Sequence, residues 1–285
     1  MISFLFWNLM GNQADSWNHR ADHLKTRIGR MARKYDVDVF LFAESAFDPG
    51  ELVATLNLVQ VGTYTEPQSN NEKIQLITRL PRDDVVSQFD SLDDRLTIRH
   101  LIGTKPQLLL AVLHFHSLVS WEKEDQMFEV MNLHEDIVRV EDKVGHRRTI
   151  LAGDLNMNPF DAGVVAARGL NAVMTRQLAE RGERTVARRT YRLFYNPMWG
   201  HFGDRTAGPP GTLYYSSAAH VDYFWHMFDQ VLLRPELIGL LEQLNIIDSD
   251  GEESLLTDQG RPRRSVLSDH LPILVRLRAQ SGRQS

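Results

Sequence analysis

A chain of 285 residues with 42% hydrophobic and 24% charged residues has the balance of a globular protein, which excludes a disordered polymer. The formal net charge of -5 argues against coating nucleic acid by bulk electrostatics, while leaving room for a local basic groove. With no cysteine there is neither a disulfide framework nor a thiolate metal site, and the composition fits a reducing compartment.

Met1 to Met10 is apolar but short, and it lacks a leading positive charge and a small-residue cleavage site. It reads as a first strand, not as a secretion signal. No apolar run approaches the roughly 20 residues that cross a bilayer, so a cytoplasmic protein is expected. Ile2 to Leu9 is predicted as a buried strand. Ser16 is predicted to cap a helix whose apolar face is Trp17, Ala21, Leu24, Ile28, Met31 and Tyr35, a period near 3.6. Val37 to Ala43 reads as a second buried strand. Further strands are expected at Leu58 to Tyr64, Ile74 to Leu80, Val85 to Phe89, Leu96 to Ile102 and Leu108 to Phe115.

Trp121 to Lys143 mixes charged and apolar residues as a surface helix does. Ile150 to Ala152 is again strand, and Pro159 suits the first turn of a helix through Arg168. The pattern from Leu170 to Tyr223 is irregular. Strands return at Phe228 to Leu233, Ile246 to Asp248 and Pro272 to Leu277. Strands that follow one another without helices from 58 to 115 disfavour a doubly wound parallel sheet. The pattern predicts an α/β (α+β) fold, a four-layer α/β/β/α sandwich of two mixed β-sheets. Residues 1–278 are expected to form one domain, with 279–285 a disordered tail.

Polar residues at the ends of these strands carry the chemistry. Glu44 directly follows Val39-Phe40-Leu41-Phe42-Ala43, where burying an acid would otherwise be costly. Asn8 ends the first strand and could equally be a turn former. Gly153-Asp154-Leu155-Asn156 closes another strand. In extended backbone Asp154 and Asn156 share a face, although an Asx turn explains the same spacing. In Ser268-Asp269-His270-Leu271-Pro272 the acid and histidine are neighbours and need a bend to converge, which Pro272 helps to fix. Adjacent residues of this kind do not form a serine-protease triad.

The ordered set Trp7-Asn8, Glu44-Ser45, His114, Gly153 to Pro159, Phe228-Asp229-Gln230-Val231-Leu232 and Ser268 to Pro272 resembles the endonuclease/exonuclease/phosphatase superfamily. The resemblance runs from residue 7 to residue 272, and all six motifs occur in the family's order. It implies a deoxyribonuclease I-like sandwich that uses Mg²⁺ or Mn²⁺. It implies Glu44, Asn8 and Asp269 as metal ligands on one ion or two. Asp154 would position or deprotonate the attacking water and Asn156 would hold the phosphate. His270, oriented by Asp229, would be a base or a phosphate-stabilising cation, and His114 would contact a phosphate oxygen. His116 shares a face with His114, which matches the family position better because Ser117 follows it. Exonuclease III-like repair enzymes carry a tyrosine-containing stretch where this chain has histidine, so the resemblance leans toward deoxyribonuclease I.

The implied function is Mg²⁺-dependent phosphodiester hydrolysis, foremost of nucleic acid. A phosphatase or phosphodiesterase for a small or lipid head-group ester is the alternative, and a binding protein without catalysis a third. Arg188, Arg189 and Arg192 precede Tyr195 and Trp199, a combination that would form a cationic, base-stacking groove or a solvated loop with its aromatics turned inward.

Overall fold

The computed structural model describes residues 1–12, 14–117 and 123–279. Ile2–Asn8 (β1) is wholly buried, and Ala14–Tyr35 (α1) carries the chain back to Val39–Ala43 (β2). Pro49–Leu58 (α2) and Ile74–Thr78 (β3) follow. Along α1 the predicted face is the buried one: Leu24, Ile28 and Met31 are inaccessible, and Trp17 nearly so. Ser16 is not the cap expected. It lies inside the first turn, where its hydroxyl accepts from Arg20 Nε at 3.2 Å. The strand expected at Leu58 to Tyr64 is absent, because α2 occupies the chain up to Leu58. Asp48 sets that helix, its carboxylate accepting from the amides of Gly50 and Glu51, with Pro49 in the first turn.

Three antiparallel strands follow, Val85–Asp90 (β4), Leu96–Leu101 (β5) and Leu108–His114 (β6). Lys123–Val144 (α3) then crosses over to Thr149–Asp154 (β7), which pairs parallel to β6. The helix expected from Pro159 to Arg168 shortens to one turn, Ala162–Val165 (α4).

The irregular stretch from 170 resolves into short pieces. These are Ala172–Val173 (β8), Arg176–Ala179 (α5), Glu183–Val186 (β9), Arg189–Arg192 (β10), Phe194–Tyr195 (β11), Leu213–Tyr214 (β12) and Trp225–His226 (β13). Asp229–Leu233 (β14), Pro235–Ile238 (α6), Leu241–Ile246 (β15) and Ile273–Leu277 (β16) complete the fold. β15 thus precedes the position expected at Ile246 to Asp248.

Two large mixed sheets result, ordered β15-β16-β1-β2-β3 and β4-β5-β6-β7-β14-β11-β8. β1 lies against β7 and β14, and β3 against β6, so the sheets face one another. Alternation along β6 divides two cores, as strand geometry requires. Leu108, Leu110 and Val112 face the other sheet, while Leu109, Ala111 and Leu113 pack with Val130, Leu133, Ile137 and Val140 of α3. Of the three parallel pairs, β1–β2 and β6–β7 each return through a long helix. Their carboxyl ends therefore lie at one rim. Among the described residues no helix is long and apolar enough to cross a membrane.

One charged cluster stabilises the α3 layer. Glu141 accepts from Thr149 Oγ1 and Arg234 Nε, both at 2.7 Å, and from Arg192 at 2.9 Å. Arg234 stacks on Phe194 at 3.7 Å and meets His134 Nε2 at 3.3 Å. Burial, reinforced by the Arg234 charge, lowers the His134 pKa to about 4. The unfolded chain then binds the extra proton between about pH 6.5 and 4, so stability is complete above that window and lost as pH falls through it. Denaturant unfolding of the wild type should lose about 2 kcal/mol from His134 alone between pH 7.5 and 5. His134→Gln should flatten that slope; an unchanged slope would remove His134 as its cause.

Candidate active site

Strand register assembles the site. Asn8 is the partner of Ala43, so Glu44 emerges one residue beyond it at the same rim. His114 pairs with Asp154 and Asp154 with Asp229, placing three polar residues in one row across the second sheet. Gly153 lets β7 approach β6 in this row, since a Cβ there would sit 1.9 Å from the Leu113 carbonyl oxygen. On the other sheet Glu44 adopts φ 48°, and its carbonyl accepts the amide of Gly11 at 2.7 Å. A Cβ on Gly11 would strike that carbonyl.

The segment before β16 is tied to β1. Ser268 Oγ donates to the Asn8 carbonyl at 2.7 Å and accepts the His270 amide at 3.1 Å. Trp7 Nε1 donates to the His270 carbonyl at 2.9 Å. These bonds supply the bend that Asp269 and His270 need. His270 Nδ1 meets Asp229 Oδ2 at 2.7 Å, and Thr212 Oγ1 accepts the Asp229 amide at 3.1 Å.

The electrostatics follow from burial and proximity. Burial disfavours a charged His270, but Asp229, then Asp154 and Asp269, overcome it and push its pKa up to about 10. Burial and the nearby Asp229 hold the Asp154 carboxyl above its ordinary range, opposed by the histidines. Burial also works against a charged Glu44, yet bonds from His114 and Asn8 bring its carboxyl below the ordinary value.

The structure brings together Asn8, Glu44, His114, Asp154, Asn156, Asp269 and His270 on the walls of one cavity of about 990 Å³, with Asp229 directly behind His270. Their contacts refine several expectations. Asn8 turns its amide nitrogen, not its oxygen, toward Glu44 Oε1 at 3.3 Å and Asp154 Oδ2 at 3.0 Å. Its oxygen accepts the Met10 amide at 2.9 Å, which fixes the orientation. In this rotamer Asn8 holds the two acids through N–H groups, which have no lone pair for a cation, while its oxygen is engaged by the Met10 amide. His114 Nε2 lies 3.1 Å from Glu44 Oε1, while His116 faces Asp93. Asn156 forms the Asx turn after all: Asp154 Oδ1 accepts its amide at 2.9 Å, its side chain donates to the Phe115 carbonyl at 2.9 Å, and φ is 48°.

The groove expected from the arginine run is not formed. Arg188 and Arg189 sit exposed at the β9–β10 hairpin, and Arg192 is bound to Glu141 and Asp142 of α3. Tyr195 pairs into the second sheet with Arg176 over its ring, and Trp199 joins Phe160 and Phe202. Sequence reasoning overlooked Arg95 and Lys73, which line the cavity from the β3 and β5 side. Arg95 approaches the His114 carbonyl at 3.4 Å and keeps a buried Nε without a hydrogen-bond partner. Neither residue stands out by spacing, because each joins the site through a strand start. Thr212, which accepts the Asp229 amide, carries no motif signal, whereas Ser268 lies within the Ser268 to Pro272 motif.

The donor set fits a hard divalent cation. Glu44 is held charged on the cavity wall, and Asp269 keeps a buried Oδ1 with no hydrogen-bond partner. Ligand atoms of Asp154, Asp229 and His270 also lie within 4.8 Å of one another. In that trio the proton His270 shares with Asp229 already offsets one of the two carboxylate charges.

The sequence matches the model of the endonuclease/exonuclease/phosphatase family over residues 5–270. A search of curated proteins found no match. Among solved structures, D. rerio TDP2 complexed with single strand DNA product superposes with a TM-score of 0.55 at 19% identity, covering 96% of this chain and 97% of that one. An AP endonuclease from Archaeoglobus fulgidus gives 0.55 at 12% identity, covering 97% and 99%. A family protein from Leptotrichia buccalis gives 0.57 at 15%, covering 98% and 100%. These likenesses establish a shared deoxyribonuclease I-like fold. With the family model spanning nearly its whole length, the chain belongs to the endonuclease/exonuclease/phosphatase family and is by that membership a phosphoesterase.

Proposed function

We propose that the chain is a nuclease dependent on Mg²⁺ or Mn²⁺, hydrolysing phosphodiester bonds of DNA or RNA by in-line attack of water. The observation that carries the reading is the row His114–Asp154–Asp229 meeting Glu44, Asp269 and His270 at one open cavity. One solved relative in fold has single strand DNA product bound, which makes nucleic acid the first substrate to test.

Each side chain then has a defined task. Asp229 keeps His270 protonated, which leaves Nε2–H as the ring's second donor for a non-bridging phosphate oxygen. A protonated His270 cannot also serve as base, so Asp154, with its raised pKa, takes the proton of the attacking water. Asn8 holds the Asp154 carboxylate toward that water. His114 and Asn8 set the orientation of Glu44. Arg95 and Lys73 add positive charge along the wall against the substrate phosphates. Glu44 and Asp269 would hold the divalent ion, which supplies charge against the developing negative oxygens.

The test is incubation with plasmid, single-stranded DNA, RNA and a panel of phosphomonoesters, each with Mg²⁺ and with EDTA. Nicking or shortening of nucleic acid with metal is expected, and Asp154→Ala should lower it by about 10²–10⁴-fold. Glu44→Ala should chiefly raise the Mg²⁺ concentration needed. Release of phosphate from monoesters with nucleic acid left intact would replace the reading with a phosphatase.

A second prediction needs no turnover. In Asp229→Asn the ring of His270 loses its main compensating charge while staying buried, so its pKa should fall from about 10 toward the ordinary histidine range. Histidine nitrogen chemical shifts followed from pH 5 to 10 read this directly. A His270 pKa that stays at about 10 in the variant would mean that Asp229 does not set its charge.

A further inference from the structure

The cavity has two unlike walls. Lys73 and Arg95 stand on one side, and Tyr214, Tyr215, His226 and Phe228 on the other. The aromatic wall continues outward as a row of touching rings. Phe228 meets His226 with centroids 4.7 Å apart, His226 meets Tyr223 at 6.1 Å, and Tyr223 meets Phe160 at 5.4 Å. Trp199 and Phe202 extend the row at 6.3 and 6.0 Å from Phe160. Asn158 anchors the row to the catalytic strand, its amide 3.2 Å from His226 Nδ1 and its oxygen accepting the Met227 amide.

A cluster that served only to bury its own rings would hide them. Here Phe160 is 38% and Tyr223 56% exposed, so part of each side chain remains open to solvent. An accessible ring accepts any base, because every base has a π-face. Duplex bases are already stacked on one another and cannot offer theirs. The net charge of -5 likewise gives no general attraction for a duplex surface.

We infer that the row Phe228–His226–Tyr223–Phe160 is a stacking track for unpaired bases, so the enzyme acts on single-stranded or frayed nucleic acid. The inference rests on the nuclease reading, since what lies on the track is continuous with the strand whose phosphate enters the cavity. A nucleic-acid strand suits the row because the row begins inside the reacting cavity, which Lys73 and Arg95 also line.

The experiment compares wild type, the double variant Phe160→Ala with Tyr223→Ala, and the ring-keeping variant Phe160→Tyr with Tyr223→Phe. Fluorescence anisotropy in EDTA measures binding of single-stranded DNA, single-stranded RNA and a blunt DNA duplex of the same sequence. Hydrolysis of bis(p-nitrophenyl) phosphate with Mg²⁺ or Mn²⁺ reads the cavity chemistry separately. The alanine pair should weaken single-strand affinity by about 30-fold or more, from two lost stacks. Duplex binding and hydrolysis of the small diester should change by less than about two-fold, and the ring-keeping pair should bind as wild type. A preference for DNA or for RNA identifies which strand the track serves.

Single-strand affinity unchanged by the alanine pair, or lost equally for duplex, overturns the track. So does loss of binding to phosphatidylcholine/phosphatidylserine vesicles with oligonucleotide affinity intact, which would assign the rings to a membrane surface. If the wild type hydrolyses neither the small diester nor any strand, the nuclease reading fails first, and the anisotropy still decides whether the rings bind bases.

Discussion

Two fully buried carboxylates placed side by side by sheet register are the constraint around which this rim is built. Asp154 and Asp229 face each other across β7 and β14 with no accessible surface to spare. Two such charges in an apolar interior would expel a proton-free state or unfold the edge, unless a cation lies between them and solvent. His270 supplies that cation. It is delivered by a segment tied to β1 through Ser268 and Trp7, so the balance of charge in one sheet depends on a strand of the other. The sandwich closes where the chemistry is.

That dependence explains why the site combines residues so far apart along the chain. Asn8 reaches both Glu44 and Asp154, and its own oxygen is fixed by the next turn of the backbone. One carboxamide thus sets the spacing of two acids on different sheets. Gly11 and Gly153 serve the same end at backbone level, each allowing a strand end to approach a carbonyl that a side chain would block. The rim is fixed by bonds that tie its turns back to the strand ends, from Ser268 to Asn8 and from Trp7 to His270.

Much of this was legible in the sequence where burial and period agree. The continuous apolar run of β6, the helical face of α1, and acids directly after apolar runs identify the buried elements and the strand ends where the chemistry sits. What sequence could not give was register. Nothing in Phe228-Asp229 reveals that Asp229 lies opposite Asp154, nor that Thr212 receives its amide. Leu58 to Tyr64 read as a strand because a short apolar run has no period long enough to separate strand from helix end. The arginines at 188 to 192 misled for a related reason. Charge type is written in the sequence, but the acids that neutralise Arg192 sit about fifty residues earlier on α3.

The comparison between the two buried charge clusters separates structure from chemistry. Around Glu141 the bonds close on themselves: Thr149, Arg192 and Arg234 occupy its oxygens, and Arg234 is capped by Phe194. Such a cluster fixes packing and offers nothing to a ligand. At the rim the accounts stay open. Asp269 Oδ1, Asp229 Oδ1 and Arg95 Nε are buried without hydrogen-bond partners among the described residues. Buried polar atoms are rarely left so, because each costs about 1–3 kcal/mol. Two of them belong to residues that line the cavity, one acid and one base, and match a guest carrying both signs of charge, as a phosphodiester with its metal does. The protein gives up stability at this rim and holds the unmade bonds for what binds there.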